Sequence, residues 1–256
     1  MKTVVFEVRG SFAHFRKFYA NSTSLSYEFP PRTTACGMIA AILGLERDSY
    51  YELMSEEQAF VCVQIMEPVK RMSQTVNYMW VKGTKDLNGS AGPMQIPVEW
   101  VTNIDGVGKG EVGYRIYFSH RDEALLKKLS SLLKENQTYY PIYLGLSEAL
   151  GRVRWIGEFE LEHMDKSDEL IEIATVCPIE QLQDISYVQG GEGGQVRKYM
   201  RDRIPCDFAA ERRLTGVAQV IYEPNGHPIM ARVKHRVYRL RINDEPLYIL
   251  PLTSRE

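Results

Sequence analysis

Cations and aromatic rings alternate in one short segment near the N-terminus. Residues 10–18 read GSFAHFRKF, so that His14, Arg16 and Lys17 lie among phenylalanines. Positively charged side chains bind phosphates, and aromatic rings stack on unpaired bases. Because aromatic residues are also common core residues, the same rings could instead fix a long loop to the body of the protein. The segment therefore indicates either an RNA-binding loop or a tightly packed one.

Several other segments carry residue types that suit a nucleic-acid surface. The stretch 68–82 has cations and rings with few acids, residues 145–154 are flanked by glycines that permit close backbone approach, and residues 190–205 join a glycine-rich run to four cations. The aromatic rings of 68–82 could stack on a base or pack on a neighbouring subunit, and both roles remain open. We expect RNA contacts from Arg16, Lys17, Arg32, Lys70, Arg71, Asn77, Trp80, Gly145, Gly151, Arg152, Arg154, Arg197 and Lys198.

The segment 231–242 has five cations within ten residues. Spacing by two places Arg232, Lys234 and Arg236 on one face of a predicted strand, where they could follow a nucleic-acid backbone. Charge on an edge strand that prevents aggregation explains the pattern equally well.

His14 is also a candidate for catalysis. Metal-independent RNA cleavage needs a general base, a general acid and a cation near the developing charge, and Tyr27 and Lys17 could assist His14 in these roles. A single histidine in a loop is more often a structural residue, so we expect a protein without a catalytic site. The five histidines show no metal-ligand spacing, and no nucleotide-binding or hydrolase motif is present; we expect neither metal nor cofactor.

Charge and cysteine content limit the function classes. The 256 residues include 31 lysines and arginines against 33 acids, a net charge of -2, which excludes a polycation and leaves only a local basic surface. The scattered cysteines suit a reducing compartment, with Cys36 and Cys62 as buried thiols. The longest apolar stretch is far below the roughly 20 residues of a membrane span. We therefore expect a cytoplasmic protein.

The predicted elements form an α+β fold. The order β-α-β-β-α-β is typical of a ferredoxin-like (RNA-recognition-motif-like) core. A long β-hairpin of about 68–110 projects from it, domain one spans 1–165, and a smaller β-rich lobe spans 166–256. The core strands are placed at 3–8, 58–66, 112–119 and 138–146, the helices at 30–45 and 121–136, with strands 171–176 and 231–242 and a hairpin turn 223–228 in the lobe.

The chain resembles the fifth CRISPR-associated (Cas) protein family. The likeness lies in FEVRGSFAHFRKFYANSTSLSYEFPPRTTACGMIAAILGL, in PIYLGLSEALGRV and in the late RIPCDFAAERR and VIYEPNGHPI, and the overall pattern is most similar to the subtype I-B branch. The resemblance implies a ferredoxin-like core with a thumb hairpin, in a subunit of the type I surveillance complex (Cascade). It further implies that the protein caps the 5′ handle of the CRISPR RNA, contacts the backbone and large subunits, and meets target DNA only indirectly.

Two other functions remain open. In the subtype I-C branch the related protein cuts the precursor transcript, so a metal-independent endoribonuclease is the alternative. A protein-interaction module whose basic loops bind no RNA is the third hypothesis.

Overall fold

The computed structural model describes residues 1–21, 23–165, 169–187 and 197–255 and consists mainly of strands. Two helices, α1 (Arg32–Leu43) and α2 (Glu123–Lys134), accompany them. The strands are β1 (Lys2–Gly10), β2 (Phe12–Ala13), β3 (Phe15–Arg16), β4 (Ser26–Tyr27), β5 (Ala59–Ile65), β6 (Val69–Met79), β7 (Pro93–Asn103), β8 (Val112–His120), β9 (Arg152–Glu160), β10 (Glu162–Asp165), β11 (Ile171–Ile173), β12 (Cys177–Pro178), β13 (Leu182–Ile185), β14 (Met200–Ala209), β15 (Arg213–Tyr222), β16 (Ile229–Val233), β17 (Arg236–Ile242) and β18 (Glu245–Ile249). The α+β class is therefore confirmed.

The central sheet has the strand order β5-β8-β1-β9, and all neighbouring strands are antiparallel. Along β1, Val4, Phe6 and Val8 point to one face and pack in the core cluster that includes both helices. Val5, on the other face, belongs to a second buried cluster that includes Leu240 of β17. Because both faces are covered, β1 is buried along almost its whole length.

Both helices lie within the predicted ranges 30–45 and 121–136, and each is two residues shorter at either end. Pro31 precedes α1, whose last turn is followed by Gly44. Asp122 caps α2 by accepting a hydrogen bond from the Ala124 N–H at 2.8 Å. Leu126, Leu129 and Leu133 of α2 are buried.

The fourth strand of the central sheet was placed wrongly by the sequence. Residues 138–146, all of which the structure describes, contribute only an isolated bridge between Tyr143 and Leu150, and the strand that pairs with the free side of β1 is β9. Pro141 lacks a backbone donor and Gly145 has a φ of 99°, so the segment cannot run as a regular strand. The β-α-β-β-α-β order is kept with β9 as its last strand.

Strands β6 and β7 form a long two-stranded hairpin within the predicted range. They pair from Val69 opposite Asn103 to Met79 opposite Pro93. Its two faces differ in chemistry: Val76, Tyr78, Met94 and Ile96 lie on one, and the exposed polar side chains Ser73, Thr75, Asn77 and Gln95 lie on the other.

The second half of the chain forms two further sheets. Their orders are β10-β17-β18-β11-β16-β13 and β12-β15-β14. Strands β14 and β15 contribute to the same buried cluster as the helices and the central sheet. The glycine-rich run 190–195 lies outside the described residues.

Two expectations for this half are wrong. Residues 223–228 do not close a hairpin, because β15 and β16 belong to different sheets, and Glu223 instead fixes the turn by accepting the N–H of Asn225 and of His227. The predicted strand 231–242 is interrupted between β16 and β17. Arg232 binds Asp184 at 3.0 Å, so this row of cations is not a continuous stripe.

The four cysteines are buried and unbridged, which confirms the expectation for Cys36 and Cys62. Burial raises the pKa of both thiols, so they behave as small apolar groups. No helix among the described residues is long and apolar enough to cross a membrane.

Candidate nucleic-acid interface

The loop after β1 is held between the central sheet and the hairpin. Phe12 and Ala13 pair with β7, and Phe15 pairs with Tyr27, which lies beyond the bend of the loop. The Phe15 ring is buried, whereas Tyr19 is 41% exposed. The aromatic residues of this loop are therefore divided between core packing and the surface.

His14 is buried and both of its ring nitrogens are engaged. Nδ1 lies 2.6 Å from the carbonyl oxygen of Glu99, and Nε2 lies 3.1 Å from the hydroxyl of Ser24. A carbonyl only accepts, so Nδ1 donates, and Nε2 can accept from the Ser24 hydroxyl. The ring links the loop to β7 and is not open to a substrate in this arrangement.

Lys17 and Tyr27 connect the same loop to β14. The Lys17 ammonium group lies 2.7 Å from Asp202, and both side chains are less than 10% exposed. The Tyr27 hydroxyl donates to the carbonyl of Arg203 at 2.6 Å, and burial raises the pKa of this phenol far above its ordinary value. These two side chains, like His14, serve contacts within the chain.

Arg32 is buried at the start of α1, where it also binds β14. Its guanidinium donates to the carbonyls of Cys206 at 2.8 Å and of Met54 and Ala59 at 2.9 Å. With 2% of its surface exposed, Arg32 cannot reach a phosphate on the surface, so its placement among the RNA contacts is corrected. Sequence could not distinguish it from an exposed arginine, because its three acceptors are backbone carbonyls far along the chain.

The hairpin and the loop bring other predicted cations to the surface. Arg16 is exposed and reaches only the carbonyl of Ala20, and Lys70 is exposed at the base of β6, where it donates to the carbonyl of Ile104. Arg71 lies 3.1 Å from Glu28 and 3.8 Å from Glu99, so two carboxylates already offset its charge.

Two predicted residues lie farther along the hairpin. Asn77 is exposed on its polar face, and Trp80 is half-buried beneath the ammonium group of Lys82, 5.0 Å from the ring centre. Of the predicted hairpin residues, Lys70 and Asn77 offer the most open polar groups.

Residues 144–151, the glycine segment, pack on the loop that follows β1, which is the N-terminal loop. The N–H of His14 donates to the Leu144 carbonyl at 2.9 Å, and a Cβ at Gly145 would lie 1.8 Å from the His14 carbonyl oxygen. A Cβ at Gly151 would meet Val8 and Ile142 at 3.3 Å. The close approach expected of these glycines is therefore made to this chain's own loop and core.

Arg152 and Arg154 lie on the face of the central sheet opposite the helices, and carboxylates hold both. Arg152 forms a bidentate pair with Glu111 at 2.5 and 2.6 Å. Arg154 lies 3.0 Å from Glu7, a fully buried carboxylate. Arg154 is nevertheless 62% exposed, so part of its guanidinium faces solvent.

Glu7 is the centre of this arginine cluster. It also binds Arg9 at 3.0 Å and Arg115 at 2.8 Å. Burial by itself raises the pKa of Glu7, but the hydrogen bonds and charges of Arg115 and Arg9 outweigh burial and hold that pKa below its ordinary value. The sequence analysis missed Glu7 because it lies on the face of β1 opposite Val4, Phe6 and Val8, where a charged residue ordinarily faces solvent.

Arg197 and Lys198 lie just before β14. Arg197 donates to the Pro228 carbonyl at 2.8 Å and Lys198 is exposed. The sequence analysis also missed Asp202, which joins Lys17 to Tyr19 and thereby fixes the N-terminal loop on β14.

A family model covers the loop and the hairpin. Residues 3–105 match the model described as CRISPR-associated protein (Cas_Cas5). This part of the chain is similar to that CRISPR-associated family. The matched residues include Arg16, Lys70 and Asn77, whereas the glycine segment and β14 lie beyond the match.

One solved structure of a CRISPR protein resembles almost the whole chain. A CRISPR protein from Archaeoglobus fulgidus superposes with a TM-score of 0.59 at 12% identity, over 97% of this chain and 99% of the other, and shares the fold. A chain of a CRISPR RNA-guided surveillance complex gives a TM-score of 0.48 at 10% identity over 89% and 91%. A structure described as a Cas protein gives 0.47 at 12% identity over 88% and 95%. No curated protein sequence matches the chain.

Replacing Arg32 tests its structural role. We expect Arg32→Met to lower the free energy of unfolding by about 3 kcal/mol or more, because three buried carbonyls lose their donor. Urea unfolding of the purified protein measures the change. Arg47→Met is the matched control, since that side chain is 79% exposed and should change stability by less than about 0.5 kcal/mol. Equal stability of the two variants would contradict the role assigned to Arg32.

The close approach of Gly145 gives a second prediction. Gly145→Ala should destabilise the protein by about 2 kcal/mol more than Gly106→Ala in urea unfolding, because its new methyl group meets the His14 carbonyl. Gly106 has a similar φ, 104° against 99°, but a Cβ there meets nothing within 4 Å. Both substitutions share the cost of a left-handed backbone, about 1 kcal/mol. An equal loss in both variants would show that the approach to His14 is unimportant.

Proposed function

We propose that this protein is a non-catalytic subunit of a type I CRISPR surveillance complex (Cascade), most similar to subtype I-B. In this role it binds and caps the 5′ handle of the CRISPR RNA in the cytoplasm and contacts the backbone and large subunits, and through them target DNA. One observation carries the proposal: the family match spans the loop and the hairpin, where Arg16 and Lys70 are exposed with no carboxylate within 4 Å among the described residues.

We propose further that the central sheet is a ferredoxin-like core and that β6 and β7 form its thumb. The strand order β5-β8-β1-β9 and the β-α-β-β-α-β succession support the first assignment. The length of the hairpin and the exposure of its distal half support the second.

The two faces of the hairpin suit two kinds of partner. Ser73, Asn77 and Gln95 on the polar face can exchange hydrogen bonds with phosphates and base edges of a single strand. Tyr78, 45% exposed, lies on the apolar face, which suits burial against a neighbouring subunit. A hairpin of two strands is marginally stable alone, which agrees with partners on both faces.

The engaged state of His14 supports a non-catalytic role. A general base must reach the 2′-hydroxyl that it deprotonates, and both nitrogens of His14 are bonded within the chain. Lys17 and Tyr27, the possible helpers, are bonded to β14. Endoribonuclease activity is the alternative and would require the loop to rearrange.

RNA binding should depend on the exposed cations. We expect the double change Arg16→Ala and Lys70→Ala to weaken binding of the protein's own repeat RNA about tenfold or more and to lower the salt slope by about 1.4, at roughly 0.7 per lost phosphate contact on a single strand. Fluorescence anisotropy across a salt series measures both quantities.

The matched control is Arg47→Ala with Lys127→Ala, two exposed cations away from the loop and the hairpin. If both double variants bound like the unmodified protein, RNA would not contact the proposed surface.

Incubation with RNA tests the absence of catalysis. Purified protein in EDTA should leave its repeat RNA uncut over hours on a denaturing gel, because the described residues place no free base beside the loop. A single specific cut that His14→Ala abolishes would instead establish the endoribonuclease. His120→Ala is the control, since that histidine lies beside α2 and contacts the Leu53 carbonyl.

A further inference from the structure

Arg203 of β14 is an exposed arginine that is nonetheless fixed in position. Its N–H donates to the Asp202 carboxylate at 2.8 Å, and its carbonyl accepts from the Tyr27 hydroxyl. Its guanidinium carbon lies 5.4 Å from the ring centre of Phe18 and 5.8 Å from that of Tyr19. Both backbone and side chain are therefore oriented by the N-terminal loop.

The guanidinium donors of Arg203 have no acceptor in the part of the chain that the structure describes. No carboxylate lies within 4 Å of its guanidinium, because Asp202 is used by Lys17 and Tyr19. Ordering an exposed arginine costs up to about 2 kcal/mol of side-chain entropy, and here no ion pair offsets the cost. Such a group is preorganised for an external anion, and the guanidinium fork matches phosphate.

Two more arginines extend this site. Arg201 lies on the same side of β14 as Arg203, about 6.6 Å along the strand, and contacts no acidic group among the described residues. Arg16 reaches the carbonyl of Ala20, the neighbour of Tyr19. Three arginines and one 41% exposed ring thus border the junction of the loop and β14 without a free carboxylate.

We propose that Arg201 and Arg203, with the ring of Tyr19, form a second RNA subsite on the C-terminal half of the protein. The inference rests on the proposed function, since its ligand is the same CRISPR RNA. The two guanidinium groups bind successive phosphates, while the outer face of the Arg203 guanidinium or the Tyr19 ring carries an unpaired base. The RNA path then runs from the hairpin base across the loop to β14. An acidic protein segment would find the same charges, but the rings beside them favour a nucleic acid.

Alanine substitutions with a matched control test the subsite. Arg201→Ala and Arg203→Ala should each weaken binding of fluorescein-labelled repeat RNA by about fivefold to tenfold and lower the salt slope by about 0.7. Arg213→Ala, an exposed arginine at the far end of the same β14–β15 hairpin, should leave both quantities unchanged. Arg203→Ala could also loosen the loop; Arg201 has no contact of that kind among the described residues, so Arg201→Ala decides the test.

Each outcome has a distinct meaning. If the unmodified protein bound no RNA, the proposed function itself would fail. If it bound RNA and Arg201→Ala kept both affinity and salt slope, the subsite would be refuted while the proposed function stood. Retained RNA affinity with loss of co-purifying subunits would likewise refute the subsite and make β14 a protein interface. A photochemical cross-link between 4-thiouridine in the repeat RNA and Tyr19 would support it.

Discussion

The edge of β14 is bound by side chains rather than by another strand. Among the described residues this strand pairs only with β15, and Tyr27 and Arg32 donate to its carbonyls at Arg203 and Cys206. Lys17 adds a buried ion pair to Asp202. Unpaired strand edges attract other strands, so this arrangement both protects the edge and fixes the N-terminal loop. The exposed groups Arg16 and Tyr19 keep their positions because of it, and the proposed RNA surface depends on these contacts.

A second constraint acts from the opposite side of the loop. The glycine segment meets the His14 backbone at Gly145, and Gly10, at the end of β1, leaves room for Leu144, whose Cδ1 would lie 2.5 Å from an added Cβ. Contacts this close, with the Leu144 side chain at Gly10 and the His14 carbonyl at Gly145, make any side chain at either glycine destabilising. The loop is thus confined between the glycine segment, the hairpin base and β14, and an RNA strand on it would meet a surface formed before binding.

Local patterns predicted the elements that depend on local physics. The alternation of Val4, Phe6 and Val8 indicated β1, and the spacing of Leu129 and Leu133 indicated α2. The segment 138–146 was wrongly predicted to be a strand because its apolar content suits one, whereas the backbone at Gly145 is fixed by a contact with a distant loop. Arg32 was wrongly predicted to contact RNA for the same reason, since its carbonyl partners lie as far as 174 residues away. Long-range partners of this kind leave no periodic trace in the sequence.

The distance between these partners along the chain also bears on how the protein is made. A ribosome releases the loop and α1 first, and the carbonyl that Arg32 binds belongs to Cys206. Until β14 emerges, Lys17 and Arg32 are charges without their final acceptors, at positions that become nearly dry. Contacts of such high sequence separation form late. The nascent protein therefore completes the surface around this loop only after β14 has been synthesised, and a chain terminated before β14 would leave that surface unfinished.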